Sequence, residues 1–135
     1  MTGPHRLVNP SSLALPIGFT HAVVAAPGSS IHIAGQTAQA ADGSIRGTTI
    51  CEQFDVAVVN VVDALAAAGA LPEHVVSLQV LVTDVEEYRA SLAELGKIYR
   101  RHFGRHYPAV VLFEVTRLFD PAAKVELVAQ AVVPG

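Results

Sequence analysis

Apolar and polar residues alternate in parts of the first third of the chain, whereas apolar residues recur at every third or fourth position in the middle. Residues 20–25 and 30–36 are β-prone or follow a period of two, which predicts two strands. The dipeptide Asp42-Gly43 is typical of a hairpin turn, so residues 45–47 are predicted to begin a short third strand.

A helix is predicted next, because apolar side chains at spacings of three and four share one helical face. The stripe consists of Ile50, Phe54, Ala57, Val58, Val61, Val62, Leu65 and Ala68. Thr48 or Thr49 can cap the first turn, and Gly69 is placed to end the helix in a left-handed conformation.

The second half of the chain predicts a strand, a second helix and two further strands. Residues 75–83 are mostly apolar and form the first of these strands. Thr83 is predicted to cap the second helix in a capping box with Glu86, and Gly104 to end it. The apolar stripe of this helix is Tyr88, Leu92, Leu95, Tyr99 and Phe103. The final strands comprise residues 108–115 and 124–133.

The resulting order, β-β-(β)-α-β-α-β-β, predicts a single α+β domain over residues 1–135, in which two helices pack on one face of a sheet. Residues 75–82 and 110–115 are apolar at nearly every position, so both faces of these strands require burial. Two helices cover one face only. We therefore expect identical copies of the chain to cover the other face in a homo-oligomer.

Composition and charge narrow the classes of function. The 135 residues are 51% hydrophobic and 16% charged, whereas soluble proteins average about 25% charged residues, so part of the surface is expected to lie in a subunit contact. The formal net charge of −3 removes the counterion-release term that drives nucleic-acid binding. We see no secretory leader and no run of about 20 apolar residues, and expect a cytoplasmic protein that does not bind membranes.

Cysteine and histidine usage does not favour metal chemistry. Cys51 is the only cysteine, which excludes an internal disulfide and a thiolate cage. It lies near a helix N-terminus, where a thiol can be activated, but a buried inert thiol is favoured. His102 and His106 are four residues apart, yet Gly104 lies between them, so structural roles are favoured. No metal site and no cofactor are predicted.

Four cations lie near the end of the second predicted helix. They are Lys97, Arg100, Arg101 and Arg105. The cluster has two interpretations, an anion site or a complement to the negative end of the helix dipole. The second interpretation is favoured, because cations are common in the last turn of a helix.

Three polar residues lie in or beside otherwise apolar strand segments. Glu126 and Glu114 each need a partner there, because a buried carboxylate without one is costly. Gln36 follows Ala34-Gly35, where a glycine permits the close approach of a backbone or a ligand. Functional roles stay open for these residues, although sequence alone favours structural ones.

Ten segments, which follow one another in order over nearly the whole chain, resemble the RidA/YjgF family, formerly labelled endoribonuclease L-PSP. The matching segments are His21-Ala-Val-Val, Ile33-Ala-Gly-Gln36, Asp42-Gly43, Gln53, residues 60–65, Ala68-Gly69, residues 80–84, Tyr107-Pro-Ala109, residues 114–118 and Lys124-Val-Glu126. The resemblance implies a chorismate-mutase-like subunit and a homotrimer with ligand clefts between adjacent subunits. It also implies cofactor-free hydrolysis of reactive enamines and imines to 2-oxo acids and ammonia.

Transferred residue by residue, the resemblance makes Glu126 the catalytic carboxylate, which holds or activates a water molecule. The substrate-binding residues that it implies are Phe19, Ala34, Gly35, Gln36, Val110 and Leu112. Phe19 keeps the ring of the family's tyrosine but lacks its hydroxyl group. Val110 stands where the family has its substrate-binding arginine, which is therefore absent at this position.

The missing arginine changes the expected ligand. A carboxylate in so apolar a cleft would be desolvated without a counter-charge. We therefore expect a neutral or apolar small molecule, unless an arginine from elsewhere, such as Arg105 or Arg117, takes over the role. The leading interpretation is a divergent deaminase or hydrolase that uses water held by Glu126. The alternatives are a non-catalytic trimer that binds a small apolar metabolite or a partner protein and, least favoured, an endoribonuclease.

Overall fold

The computed structural model describes residues 3–135, in which six strands and three α-helices form. The strands are β1 (Arg6–Val8), β2 (Ala22–Val24), β3 (Gly28–His32), β4 (Val75–Val82), β5 (Ala109–Glu114) and β6 (Val125–Pro134). The helices are α1 (Ile50–Ala67), α2 (Val85–Ala90) and α3 (Leu92–Phe103). Strands β3, β6, β4 and β5 form one sheet in that order, with only β4 and β5 parallel, and β1 pairs with β2 separately. The predicted α+β class is confirmed.

Helix α1 begins and ends as its sequence predicts. The Thr49 side chain accepts a hydrogen bond from the Glu52 backbone N–H, and the Glu52 carboxylate accepts one from the Thr49 N–H, which closes a capping box. Gly69 has a φ of 87°, a conformation that costs glycine little. The predicted stripe from Ile50 to Leu65 lies on the buried side of α1, so its periodicity correctly identified both the element and its orientation. Ala68, which the stripe included, is exposed and forms the C-cap.

The second predicted helix is two helices in the structure, and its predicted cap is wrong. The backbone N–H of Thr83 bonds to the carbonyl of Lys124, so Thr83 still belongs to the sheet. Asp84 caps α2 instead, accepting a hydrogen bond from the Glu87 N–H at 3.1 Å. The chain leaves helical geometry at Ser91, with ψ near 13°, before α3 begins. The apolar spacing continues across this break, so the hydrophobic pattern could not reveal it.

Two details of the first third differ from the prediction. Residues 45–47 do not form a strand, because Ile45 makes only an isolated bridge to Gln39. The structure instead contains β1, whose three residues are too few to show a period in the sequence. This strand is preceded by the buried side chain of His5, whose Nε2 lies 2.9 Å from the carbonyl of Val132.

The helices cover one face of the four-stranded sheet. Leu78, Val80 and Leu127 belong to the core that α1 and α3 complete on this face. On the opposite face, Val111 is 49% exposed and Phe113 is 42% exposed. The sheet therefore presents large apolar side chains on a face that this chain's helices do not cover.

Candidate functional site

A pocket of about 570 Å³ lies between α3, the start of β5 and the segment before β2. Its lining residues are mainly apolar or aromatic: Ile17, Gly18, Phe19, Phe54, Leu78, Val80, Tyr88, Leu92, Leu95, Gly96, Tyr99, Arg100, Tyr107, Val110 and Leu112. The predicted residues Phe19, Val110 and Leu112 are therefore brought together. This size and lining suit a small, largely apolar molecule.

The position of Phe19 follows from two hydrogen bonds made by the next residue. The Thr20 backbone N–H donates to the carbonyl of Pro108 at 3.0 Å, and the Thr20 hydroxyl donates to the carbonyl of Tyr107. These two bonds hold the segment before β2 against the residues that precede β5. Phe19 also makes an edge-to-face contact with His21, with ring centroids 4.9 Å apart.

Strand register places the other two predicted residues in the floor of the pocket. Val110 pairs with Leu78 and Leu112 pairs with Val80 in the parallel ladder between β5 and β4. Paired residues share a face of a sheet, so both side chains lie on the helix-covered face. No charged side chain stands in this floor among the described residues.

The predicted catalytic residue Glu126 lies on the other face of the sheet. It pairs with Leu81, which pairs in turn with Phe113, and strand residues alternate between faces. The carboxylate is partly exposed and accepts no hydrogen bond from residues 3–135. Within one chain, Glu126 and Val110 therefore face opposite sides of the sheet.

A bulge holds the predicted Ala34-Gly35-Gln36 segment beside Glu126. The Ile33 N–H donates to the carbonyl of Ala129, and Gln36 exchanges two hydrogen bonds with Leu127. Between these contacts the chain after β3 advances three residues while β6 advances two, which is a bulge. A Cβ added at Gly35 would lie 1.8 Å from Oε2 of Glu126. The Glu126 carboxylate can therefore occupy its observed position only because residue 35 is glycine.

The predicted site residues accordingly form two groups. Glu126 and the bulge at residues 34–36 form one group, and Phe19, Val110 and Leu112 form the other. Sequence reasoning missed the contribution of α3 and its neighbours to the pocket, including Arg100. The signal available was the cationic end of α3, which the dipole interpretation explained without reference to a pocket.

Three tyrosines form one wall of the pocket. The Tyr99 hydroxyl donates a hydrogen bond to the carbonyl of His106, and its ring stacks on Tyr107 with centroids 5.4 Å apart. Burial raises the pKa of Tyr99 and that of Tyr88, because the buried phenolate would lose its hydration. Tyr88 and Tyr99 therefore stay neutral at ordinary pH and add no charge to the pocket.

The remaining candidates have structural partners. Nε2 of His102 lies 2.8 Å from Oδ1 of Asp55, and Nε2 of His106 donates to the carbonyl of Val75. The Glu114 carboxylate accepts a hydrogen bond from the backbone N–H at the start of α2. Within residues 3–135, no three side chains with metal-ligating atoms come together.

The two arginines proposed as replacements for the missing cation lie elsewhere. Arg105 does not line the pocket, and Arg117 borders a second, more open depression together with Lys124. Cys51 packs against the core from α1 but is only half-buried, whereas the sequence favoured a buried thiol. No helix within the described part of the chain combines the length and apolar character needed to cross a bilayer.

Comparison with known proteins gives consistent results. The endoribonuclease L-PSP family model matches residues 11–133. A Rid-family protein of unknown function from Yersinia pestis, YyfB, is 31% identical, with 96% of this chain and 99% of that chain covered and a TM-score of 0.86. A YjgF/YER057c/UK114-family member from Mycobacterium tuberculosis is 32% identical, with 87% and 88% covered and a TM-score of 0.65. The YjgF gene product of E. coli is 28% identical, with 78% and 81% covered and a TM-score of 0.66. No curated protein sequence gives a significant match.

Proposed function

Since the chain belongs to the endoribonuclease L-PSP family, which includes the Rid and YjgF proteins, we propose that it hydrolyses a small imine or enamine in a cleft between copies of itself. The observation that carries this proposal is the division of the site. One chain presents an apolar pocket on the helix-covered side of its sheet and a glutamate on the other side. A second copy can bring its glutamate to the pocket of the first.

The open face of the sheet supports a complex of identical copies. Val111 and Phe113 are exposed there although they lie in a strand of the main sheet. Burying such side chains releases about 25 cal/mol per Å² of apolar surface removed from water. A closed homotrimer buries this face on every copy and leaves no subunit with an unpartnered surface.

The chemistry needs one carboxylate and no cofactor. The Glu126 carboxylate takes a proton from water as the water oxygen bonds to the imine carbon. The imine nitrogen takes this proton, which gives a carbinolamine. The hydroxyl proton then passes through Glu126 to the nitrogen, the C–N bond breaks, and ammonia leaves as the C=O double bond forms. An enamine enters this route after it is protonated at carbon to give the imine. Since Glu126 accepts no hydrogen bond from the described residues, its oxygens are free to bind that water.

The floor of the pocket sets which substrates fit. Val110 and Leu112 offer no counter-charge, so the part of the substrate against the sheet must be uncharged and apolar. We therefore expect an imine with a branched or aromatic body to react faster than 2-aminoacrylate, a small enamine of the class that the family resemblance implies.

The test compares two substrates generated in situ from amino acids. One is the imine that carries a leucine side chain and the other is 2-aminoacrylate. Release of the 2-oxo acid is measured for both. Glu126→Gln is expected to lower kcat for the better substrate by about 100-fold or more. Val110→Arg is expected to shift preference towards 2-aminoacrylate. Unchanged turnover in Glu126→Gln would overturn the catalytic role.

Sedimentation equilibrium tests the assembly independently of turnover. The expected result is a trimer at micromolar protomer concentration, and a stable monomer would contradict a shared cleft. A trimer that binds the imine's 2-oxo acid product but never accelerates its formation would favour the non-catalytic alternative. That alternative rests on the same pocket and on the valine at position 110.

A further inference from the structure

We propose that Arg100 is the specificity-determining cation of the pocket and that the ligand is a small monocarboxylate with a branched or aromatic body. Of the described residues that line the pocket, Arg100 is the only one that carries a charge at neutral pH. It projects from α3, not from the strand floor. The apolar body would lie on the floor, and the carboxylate would meet the guanidinium at the mouth.

The guanidinium of Arg100 makes no ion pair with another residue in the described part of the chain. The ion pairs among residues 3–135 involve Arg89, Arg101, His102 and Lys124 as cations, and none includes Arg100. On a helix, side-chain partners stand three or four residues away, and positions 96, 97, 103 and 104 carry no acidic residue. Arg100 is exposed, so its charge is available to a ligand.

Gly96 provides the space in which this guanidinium lies. A Cβ added at Gly96 would be 3.2 Å from a terminal nitrogen of Arg100, closer than ordinary van der Waals contact. Arg100 therefore lies back along α3 over position 96, and both residues line the pocket. The guanidinium thus borders the pocket, and the planar fork of an arginine binds a carboxylate through two parallel hydrogen bonds.

The neighbouring cations do not share this position. Arg101 points to α1, where it lies 3.2 Å from Oδ2 of Asp55. Lys97 is exposed on the same helix but does not line the pocket. Hence the cationic end of α3 contains one residue placed for a ligand and others that are not, and Lys97 offers a matched control for loss of one positive charge.

The test uses 3-phenylpropanoate and its neutral isostere 3-phenylpropanamide, with binding to the full-length protein measured by isothermal titration calorimetry. Wild type is expected to bind the acid more tightly than the amide. Arg100→Gln is expected to weaken acid binding by about 5- to 20-fold, between the value of an exposed ion pair and that of a charge-assisted hydrogen bond, and to leave amide binding within about twofold. Lys97→Gln is expected to change neither affinity beyond about twofold.

Equal binding of the acid by wild type and Arg100→Gln would overturn the inference, as would an equal loss for acid and amide or no binding of either compound by wild type. Amide binding reports that a variant is folded. Should Arg100→Gln not fold, Arg100→Lys takes its place in the same titrations. The salt dependence of binding by wild type is a second measurement, because the affinity for the acid must fall with ionic strength and the affinity for the amide must not.

The inference rests on the pocket of the proposed function but not on its chemistry. The same titrations in the Glu126→Gln background separate the two. Acid binding that still requires Arg100 there supports the inference even if no imine is ever hydrolysed. Hydrolysis that proceeds equally well in Arg100→Gln would instead leave the proposed function intact and remove Arg100 from it.

Discussion

The carboxylate of Glu126 lies so close to the backbone of Gly35 that a Cβ at position 35 would fall 1.8 Å from its Oε2 and 2.8 Å from its Cδ. Glycine has no Cβ, and the two residues fit together for that reason alone. The contact joins the bulge before residue 36 to β6.

Gly35→Ala should therefore displace the carboxylate and lower turnover about as much as Glu126→Gln, by about 100-fold. The end of a glutamate side chain can rotate away, so the free energy of unfolding should change by less than about 1 kcal/mol. Steady-state kinetics and denaturant unfolding measure the two effects. In the Glu126→Gln background, Gly35→Ala should cause no further loss of activity, and a full additional loss would show that the residues act separately.

Gln53 should be the most costly polar side chain to remove. It is 1% exposed, its Nε2 donates to the carbonyls of Gly47 and Ala122, and its Oε1 accepts from the Lys124 N–H at 2.7 Å. Gln53→Ala leaves these backbone groups without partners and should lower the free energy of unfolding by about 2–4 kcal/mol.

Denaturant unfolding at one fixed protomer concentration checks this value, because the apparent stability of an oligomer depends on concentration. Gln39→Ala is the control, since Gln39 is exposed and its side chain makes a single hydrogen bond, to the carbonyl of Gly43. A change of less than 1 kcal/mol in Gln53→Ala would contradict the structural role.

Glu52 should make the start of α1 sensitive to acid. Hydrogen bonds from the backbone N–H groups of Thr48 and Thr49 lower the pKa of this carboxyl from its ordinary value of 4.5. Because the folded pKa is lower than the unfolded one, the stabilisation is complete above the unfolded value and is lost as pH falls through the folded value. The Tm of wild type should exceed that of Glu52→Gln at pH 7, and the difference should shrink steadily below about pH 4.5. A difference independent of pH would rule out this linkage.

Tyr99 should have the opposite effect in alkali. Burial raises its pKa above the ordinary value of 10.0, so the unfolded chain loses this proton first, and stability falls as pH rises above 10. At pH 7, Tyr99→Phe should cost about 1 kcal/mol, because the carbonyl of His106 loses its donor. Thermal unfolding between pH 8 and 11 should show this deficit narrowing above pH 10. A deficit that stays constant to pH 11 would mean that Tyr99 ionises equally in both states.

The spacing of apolar residues predicted those helices and strands that form wherever one face of the segment is buried. The α1 stripe and its Thr49 cap are local, and both are confirmed. The break at Ser91 was invisible because Tyr88, Leu92 and Leu95 keep a spacing of four and three residues across it. The cap of α2 was misplaced by one residue because Thr83 bonds across the sheet to Lys124, a contact between residues far apart in sequence.

The candidate site was predictable only in part, for a similar reason. Resemblance proposed which residues belong to it, and strand register determines which face of the sheet each of them occupies. That Glu126 and Val110 lie on opposite faces follows from the pairing of β6, β4 and β5, which no single segment specifies. Arg100 lines the pocket through the packing of α3 on the sheet, so its position depends on tertiary structure and not on its neighbours in the chain.

The floor of the pocket also has a consequence for how specificity can evolve in proteins of this kind. Leu78 and Val80 contribute to the pocket and to the hydrophobic core at once, so a change there alters ligand preference and folding together. The guanidinium of Arg100, in contrast, makes no ion pair with any of residues 3–135. Substitutions that change ligand preference should therefore be tolerated more readily at Arg100 than at Leu78 or Val80.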